Sequence, residues 1–448
     1  MLSFALRGRV VTPGAEEYEA ARNVVNGSFD HRPAAIVRVA NAADVAAVLN
    51  FAQATDLEVA VRSGGHSTAG HSGNNGGLLI DLRDLNGMDI DAAGLTAWVG
   101  TGLTAGEITR AVEQHGLIIG FGDAPTVGVG GLTLGGGIGY LVRKYGLTID
   151  SLLAAEVVTA AGDILIADET SHPDLFWALR GGGGNFGVVT RFKFRLHPLP
   201  AFTGGPLVLP ATPEVLAGFV AAAEAAPEEL STILMLIPAP PLPFLPPEVH
   251  GKLVLVGAMA FSGEPAAAQV AMAPFRALAT PIADLVGPAP YSSLYQLAPP
   301  EDERPSVTIR SRFVDRIGLE EARKIVAAME RCDAPMKLAQ VRVLGGAMAR
   351  VPVEATAFAH RQSRILVAFL AMSAPGVVAE TERQERWANE ANDALRQDDA
   401  GAYVNFLGRG EKGLSAAYPA ATWERLRRVK GRYDPENVFR LNQNIPPA

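Results

Sequence analysis

The sequence predicts an α+β chain of two domains, and three observations carry that reading. Between residues 41 and 196, short apolar or β-branched runs alternate with capped helical stretches, and glycine clusters separate them. Near His197-Pro198 the glycine clusters stop, and alanine-rich helices alternate with strands. The length of 448 residues suffices for two or three domains with ordinary cores.

Taken in order, Asn41 caps a helix that places Val45, Val48, Leu49 and Ala52 on one face. A strand through Val59 and Val61 enters a glycine turn, and Leu78, Leu79 and Ile80 form a buried strand ending at Asp81. Leu95 to Val99 reads as the next strand. Thr104 and Glu107 make a capping box for a helix carrying Ile108 and Val112, which Gly116 ends. Leu153 to Thr159 is a strand, and Ser171 caps a helix holding Leu175, Phe176, Trp177 and Leu179. From Val189 to Leu196, Phe192, Phe194 and Leu196 alternate with Arg191, Lys193 and Arg195, the pattern of a strand with one wet face.

In the second half, Thr212-Pro213 opens a helix through Phe219; Ile233 to Ile237 and Leu253 to Phe261 are strands; Gly263 to Ala279 is a helix. Six prolines between Pro238 and Pro247 require a loop or edge there rather than sheet interior. Leu338 to Val343 and Ile365 to Met372 are strands, and Val378 to Leu395 is a long helix. Residues 201–398 therefore read as an antiparallel sheet backed by helices, following a first domain at 1–200.

Composition removes several function classes. An apolar fraction of 48% beside 19% charged residues describes a soluble globular chain. The net charge of −8 argues against nucleic acid as a partner. Cys332 is the only cysteine, so neither an intramolecular disulfide nor a cysteine metal site is available, and no metal is expected. No apolar run is long enough to span a bilayer, and the N-terminus lacks a basic region followed by a sustained apolar core. No membrane partner is expected, and a cytoplasmic location is the expectation.

Chemistry concentrates in Val61 to Gly70, Val-Arg-Ser-Gly-Gly-His-Ser-Thr-Ala-Gly. Gly64 and Gly65 can align successive backbone N–H groups into an anion nest. Arg62 adds charge, Ser63 and Ser67 add hydroxyls, and no carboxylate interrupts the run, which favours a diphosphate over a metal. His66 sits at the centre; the residues alone fit either a ligand-bound imidazole or one that bonds its own turn. A second glycine-rich stretch, Phe121 to Tyr140, implies a backbone passing close to something large and flat. Gly182, Gly184 and Gly187 satisfy G-x-G-x-x-G, but a helix precedes them and a strand follows, the reverse of a dinucleotide site.

The Arg-Ser-Gly-Gly-His run closely resembles the diphosphate loop of the vanillyl-alcohol-oxidase, or PCMH-type, flavoproteins, and within them the berberine-bridge-enzyme-like oxidases. Pro125 to Gly131, Gly184 to Thr190, Tyr403-Val404-Asn405, Arg432 to Phe439 and Leu441 to Pro446 match further family segments in the same order. The resemblance implies a two-domain PCMH-type FAD-binding fold in which residues 399–448 return to the first domain. It implies FAD bonded covalently to His66 and contacted by Arg62, Ser63, Gly64, Gly65, Ser67, Thr101, Pro125, Thr126, Gly128, Val129, Gly130, Gly131, Gly135, Gly136, Gly139, Gly187, Val188, Val189, Asn442 and Gln443. Many relatives carry a second, cysteinyl link just before the proline. Here that residue is Ala124, which places the chain with the singly linked bacterial members and away from the carbohydrate oxidases.

The implied activity is hydride removal from an alcohol or amine carbon of a small organic substrate, with O2 as acceptor and H2O2 released. Aliphatic richness in 201–400 suggests an aromatic, terpenoid or alkaloid-like substrate. A dehydrogenase or an oxidative cyclase on the same fold is the alternative, with an oligosaccharide oxidase ranked after them. Tyr403 is the expected base, with Asn405 orienting substrate and His71 the second candidate. Val129 stands at the family's oxygen-gating position, and His360 with Arg361 are candidates to reach the pocket from the second domain. Two rivals from other classes are a nicotinamide-dependent dehydrogenase and a flavin carrier without turnover.

Overall fold

The computed structural model describes residues 6–199, 201–297, 304–399, 401–408, 410–411 and 413–448. A four-stranded sheet runs in the order Arg9–Val11, Ala35–Arg38, Leu78–Asp81, Val59–Arg62, the last three parallel and the first antiparallel at the edge. Parallel strands need covered faces. Helix Ala42–Thr55 supplies one cover, burying Val45, Val48, Leu49 and Ala52 with Val37, Val59, Leu78 and Ile80. Asn41 Oδ1 accepts Asp44 N–H at 2.9 Å, so the helix starts where capping predicts.

A five-stranded antiparallel sheet follows, ordered Met88–Asp91, Thr96–Gly100, Val188–Arg195, Leu152–Val158, Ile164–Asp168. Its strand Val188–Arg195 turns Phe192 and Phe194 into the core and leaves Arg191 and Arg195 exposed. The Thr104–Glu107 capping box is present. Ser171 departs from expectation. Its N–H and that of Thr170 both go to Asp168 Oδ1, and helix Pro173–Leu179 starts after His172, with proline setting the first turn.

The large sheet has eight strands, all antiparallel: Ala283–Asp284, Phe202–Pro210, Leu253–Ser262, Leu230–Pro238, Met336–Val343, Ile365–Ser373 and Ser306–Val314 in order, with Gly287–Pro288 also on Phe202–Pro210. Helices Pro213–Ala225, Pro265–Arg276, Leu319–Arg331 and Val378–Asp393 back one face. Ala339, Val341 and Val343 enter that helix-backed core. By strand alternation, Leu338, Gln340 and Arg342 face the glycine-rich half of the chain.

The tail is pinned by a buried cation. In helix Ala420–Tyr433, Lys430 Nζ donates to Asp434 Oδ2 at 2.5 Å, to Asn185 O at 2.8 Å and to Phe439 O at 3.1 Å. Neither charged side chain is exposed, and burial pushes the Lys430 ammonium down from its ordinary value, against the pull of Asp434. Removing one partner of such a pair leaves the other charge stranded. Lys430→Met is therefore expected to cost about 3–5 kcal/mol, read as a lower urea midpoint; an unchanged midpoint would show that the pair contributes nothing.

Among the described residues no helix is long and apolar enough to cross a membrane, and no group of three or more metal-ligating side chains converges.

Candidate active site

The two glycine-rich stretches lie back to back. A Cβ added to Gly64 would stand 2.2 Å from Gly128 N, and one added to Gly128 would stand 2.1 Å from Gly64 N. Only glycines allow that approach. Ser63 Oγ fastens the contact, donating to Thr101 O at 2.6 Å and accepting from Gly130 N–H at 3.3 Å. Gly65 has φ +76°, and the amide hydrogens of Gly64, Gly65 and Ser67 have no acceptor among the described residues. Such amides are what an anion nest requires. Gly64→Ala is expected to force the stretches apart at about 1–3 kcal/mol, seen as a lower melting midpoint with loss of bound flavin; parent flavin content would show that the contact is dispensable.

Other predicted residues take varied places. Arg62 is a correction: its guanidinium is buried against Asp81 at 2.8 Å and donates to the carbonyls of Ala21 and Asn23, so its charge is spent inside the sheet rather than on the nest. The cause is strand alternation, which turns Arg62 toward the neighbouring strand's Asp81. Val129 is 0% exposed and packs in the core of the first half. Thr101 donates to Val189 O at 2.8 Å and ties the turn to the following sheet. Val188 and Val189 are buried in two different cores, which leaves only their backbone for a ligand. Pro125 O accepts Gly106 N–H at 2.8 Å, and Thr126 O lies 3.1 Å from the Cβ that Gly64 lacks. Gly131 is open, whereas a Cβ on Gly139 would meet Phe121 O at 1.4 Å and one on Gly187 would meet Val157 at 2.6 Å.

His66 is half-buried on the nest loop. Ser67 Oγ accepts His71 N–H at 3.1 Å. His71 is half-buried too, and burial, aided by nearby His31, pushes its imidazole down to about 4, so it is neutral at pH 7. The tail arrives beside this loop. Gln443 Nε2 donates to Leu407 O at 3.2 Å, the carbonyl that Thr68 Oγ1 reaches at 3.5 Å, and Asn442 Nδ2 donates to Gly184 O at 3.1 Å.

Tyr403 occupies the centre. Its Oη accepts from Gly137 N–H at 3.0 Å and from Asn405 Nδ2 at 3.0 Å, and Asn405 Nδ2 also donates to Leu132 O at 3.0 Å. Gly135 and Gly136 make room for this: a Cβ on Gly135 would stand 2.0 Å from Asn405 Oδ1, and one on Gly136 3.6 Å from the Tyr403 ring. The phenol is 3% exposed. Burial raises its pKa above the ordinary value, while Asn405, the Gly137 amide and the Arg342 guanidinium pull the other way. Desolvation outweighs these donors and the cation.

His360 and Arg361 flank Phe358, which itself meets the Tyr403 ring, and direct hydrogen bonds elsewhere. Arg361 is 0% exposed and forms a two-pronged bond to Asp150, both contacts 2.8 Å. His360 Nε2 meets Ala417 O at 3.0 Å. The group that sequence reasoning missed is Asp123, Gln340 and Arg342. Arg342 Nη2 lies 2.9 Å from Asp123 Oδ2, Arg342 Nε donates to Gln340 Oε1 at 3.0 Å, Gln340 Nε2 donates to Asp123 Oδ2 at 2.9 Å, and Arg342 Nη1 donates to Ile138 O at 2.6 Å. The available signal was two polar residues, two apart, in an otherwise apolar strand.

Amide donors without an acceptor among the described residues, beside a positive-φ glycine, suit the diphosphate of FAD. Residues 33–168 match the family described as FAD binding domain, and residues 402–446 match berberine and berberine like. The chain is 30% identical to (R)-6-hydroxynicotine oxidase of Paenarthrobacter nicotinovorans, covering 99% of this chain and 97% of that protein. It is 32% identical, with the same coverage, to the Bacillus subtilis FAD-linked oxidoreductase YgaK. The crystal structure of 6-hydroxy-D-nicotine oxidase from Arthrobacter nicotinovorans superposes with a TM-score of 0.88 at 27% identity, over 99% of this chain and 98% of that one. With the glycine floor, the nest and the returning tail in place, the chain belongs to the berberine-bridge-enzyme-like family of PCMH-type, FAD-linked oxidoreductases.

Proposed function

We propose that this FAD-dependent oxidoreductase is an oxidase that removes a hydride from an alcohol or amine carbon of a small organic molecule, passes the electrons to O2 and releases H2O2. His66 carries the single covalent link to the cofactor, since Ala124 offers no thiol for a second. The chemistry FAD supplies when bound is hydride acceptance and reoxidation by oxygen.

The observation that carries this reading is the Tyr403 oxygen, which receives the Gly137 and Asn405 donors directly beside the glycine floor. As the carbon loses hydride, its hydroxyl or amino group must lose a proton, and Tyr403 takes it. The two donors stabilise the phenolate form of the side chain, and Arg342 adds a nearby positive charge. His71, uncharged at neutral pH, contributes an imidazole beside the nest rather than a cation.

A panel of alcohols and amines, with peroxide measured in air and bleaching of the yellow colour measured without oxygen, tests the proposal. Bleaching with peroxide release supports it. Bleaching without oxygen consumption would replace oxidase by dehydrogenase, and a purified protein that never carries flavin would overturn the reading.

A further inference from the structure

We propose that the substrate is an uncharged alcohol with an apolar body, which lies along an uncovered strip of the large sheet with its hydroxyl end toward Tyr403. This rests on the oxidase reading and narrows it. The row of side chains nearest Tyr403 is closed: Ile233, Arg342, Leu366 and Phe313 are cross-strand neighbours, and Leu366 and Phe313 pack with Ile138, Phe358 and Tyr403. Further along the same face, protein cover runs out. Met235, Leu338, Leu370 and Met372 are half-buried, whereas Leu236, Ala339, Phe369 and Ala371, on the opposite face of those strands, are buried. From Ala368 to Met372 the strip runs about 13 Å, at about 3.3 Å per residue.

Charge decides between alcohol and amine. At the inner end of the strip, Asp123 and Arg342 neutralise each other, and the Gln340 amide is taken up by both. Among the described residues, no unpaired carboxylate is left at that end to receive an ammonium ion. Among the described residues of these strands, Ser311 brings an unspent polar atom to this face. Arg310 and Arg312 turn toward Asn389 and Asn392 of helix Val378–Asp393, so Ser311 points to the strip; its Oγ is buried without a partner, one strand away from Gln340 across Ala368. The Ser311 hydroxyl beside an aliphatic strip fits a mono-alcohol better than the many hydroxyls of a sugar.

The test is calorimetric binding of the primary alcohols from 1-butanol to 1-octanol, without oxygen, to the full-length flavoprotein. Each added methylene is expected to tighten binding about threefold to fourfold. Leu338→Gln and Leu370→Gln, both at half-buried sites, should flatten that dependence while flavin content stays at the parent level. Affinity independent of chain length, alkylammonium ions binding better than alcohols of equal length, or cellobiose binding better than octanol would each overturn the proposal while leaving the oxidase reading standing. A protein that binds the alcohol series as expected but is never reduced by any of it would keep the strip and sink the oxidase reading instead.

Discussion

His66→Ala is expected to convert the cofactor from a permanent part of the polypeptide to an exchangeable ligand. After acid precipitation of the parent protein the yellow colour should stay with the pellet; after precipitation of the variant it should move to the supernatant. The nest supports this expectation without supplying the bond. Its amide donors, without an acceptor among the described residues, suit phosphates by charge and geometry, and such contacts do not survive unfolding in acid. The variant is therefore expected to fold and to bind FAD reversibly, with dialysis removing it. Acid-stable flavin in His66→Ala would place the linkage on another residue.

Tyr403→Phe is expected to slow flavin reduction by substrate about 10²- to 10⁴-fold, the usual worth of a positioned acid or base. Substrate binding should weaken by no more than about 1 kcal/mol, the net value of one hydrogen bond. The sign of the pH dependence follows from burial. Because desolvation raises the Tyr403 pKa above its ordinary value, the proton-accepting form is scarce at neutral pH and grows as pH rises. kcat/KM should therefore climb into the alkaline range in the parent and lose that climb in the variant. Reduction at the parent rate in Tyr403→Phe would remove it as base.

Local chemistry made much of this molecule legible in its sequence. The Asn41 cap, the Thr104–Glu107 box and the alternating Phe192/Arg191 strand all express short-range rules, and they stand where those rules put them. Strand Phe202–Pro210 was hidden because Gly204, Gly205 and Pro206 read as breakers, yet it lies near the sheet edge where such residues are tolerated. Strand Ser306–Val314 was hidden because Arg310 and Arg312 look solvent-facing; helix Val378–Asp393 covers them with asparagines. Arg62 misled for the opposite reason, since its partner, Asp81, lies 19 residues on and only pairing of the two strands brings them together. The same limit hid the Asp123–Arg342 pair, whose members are joined by tertiary structure alone.

The hydrogen bond from Gly137 to Tyr403 spans 266 positions of the chain. On the proposed reading, a chain clipped ahead of residue 400 would keep Gly137 and the nest loop but lack the proton acceptor, and no turnover is expected of it.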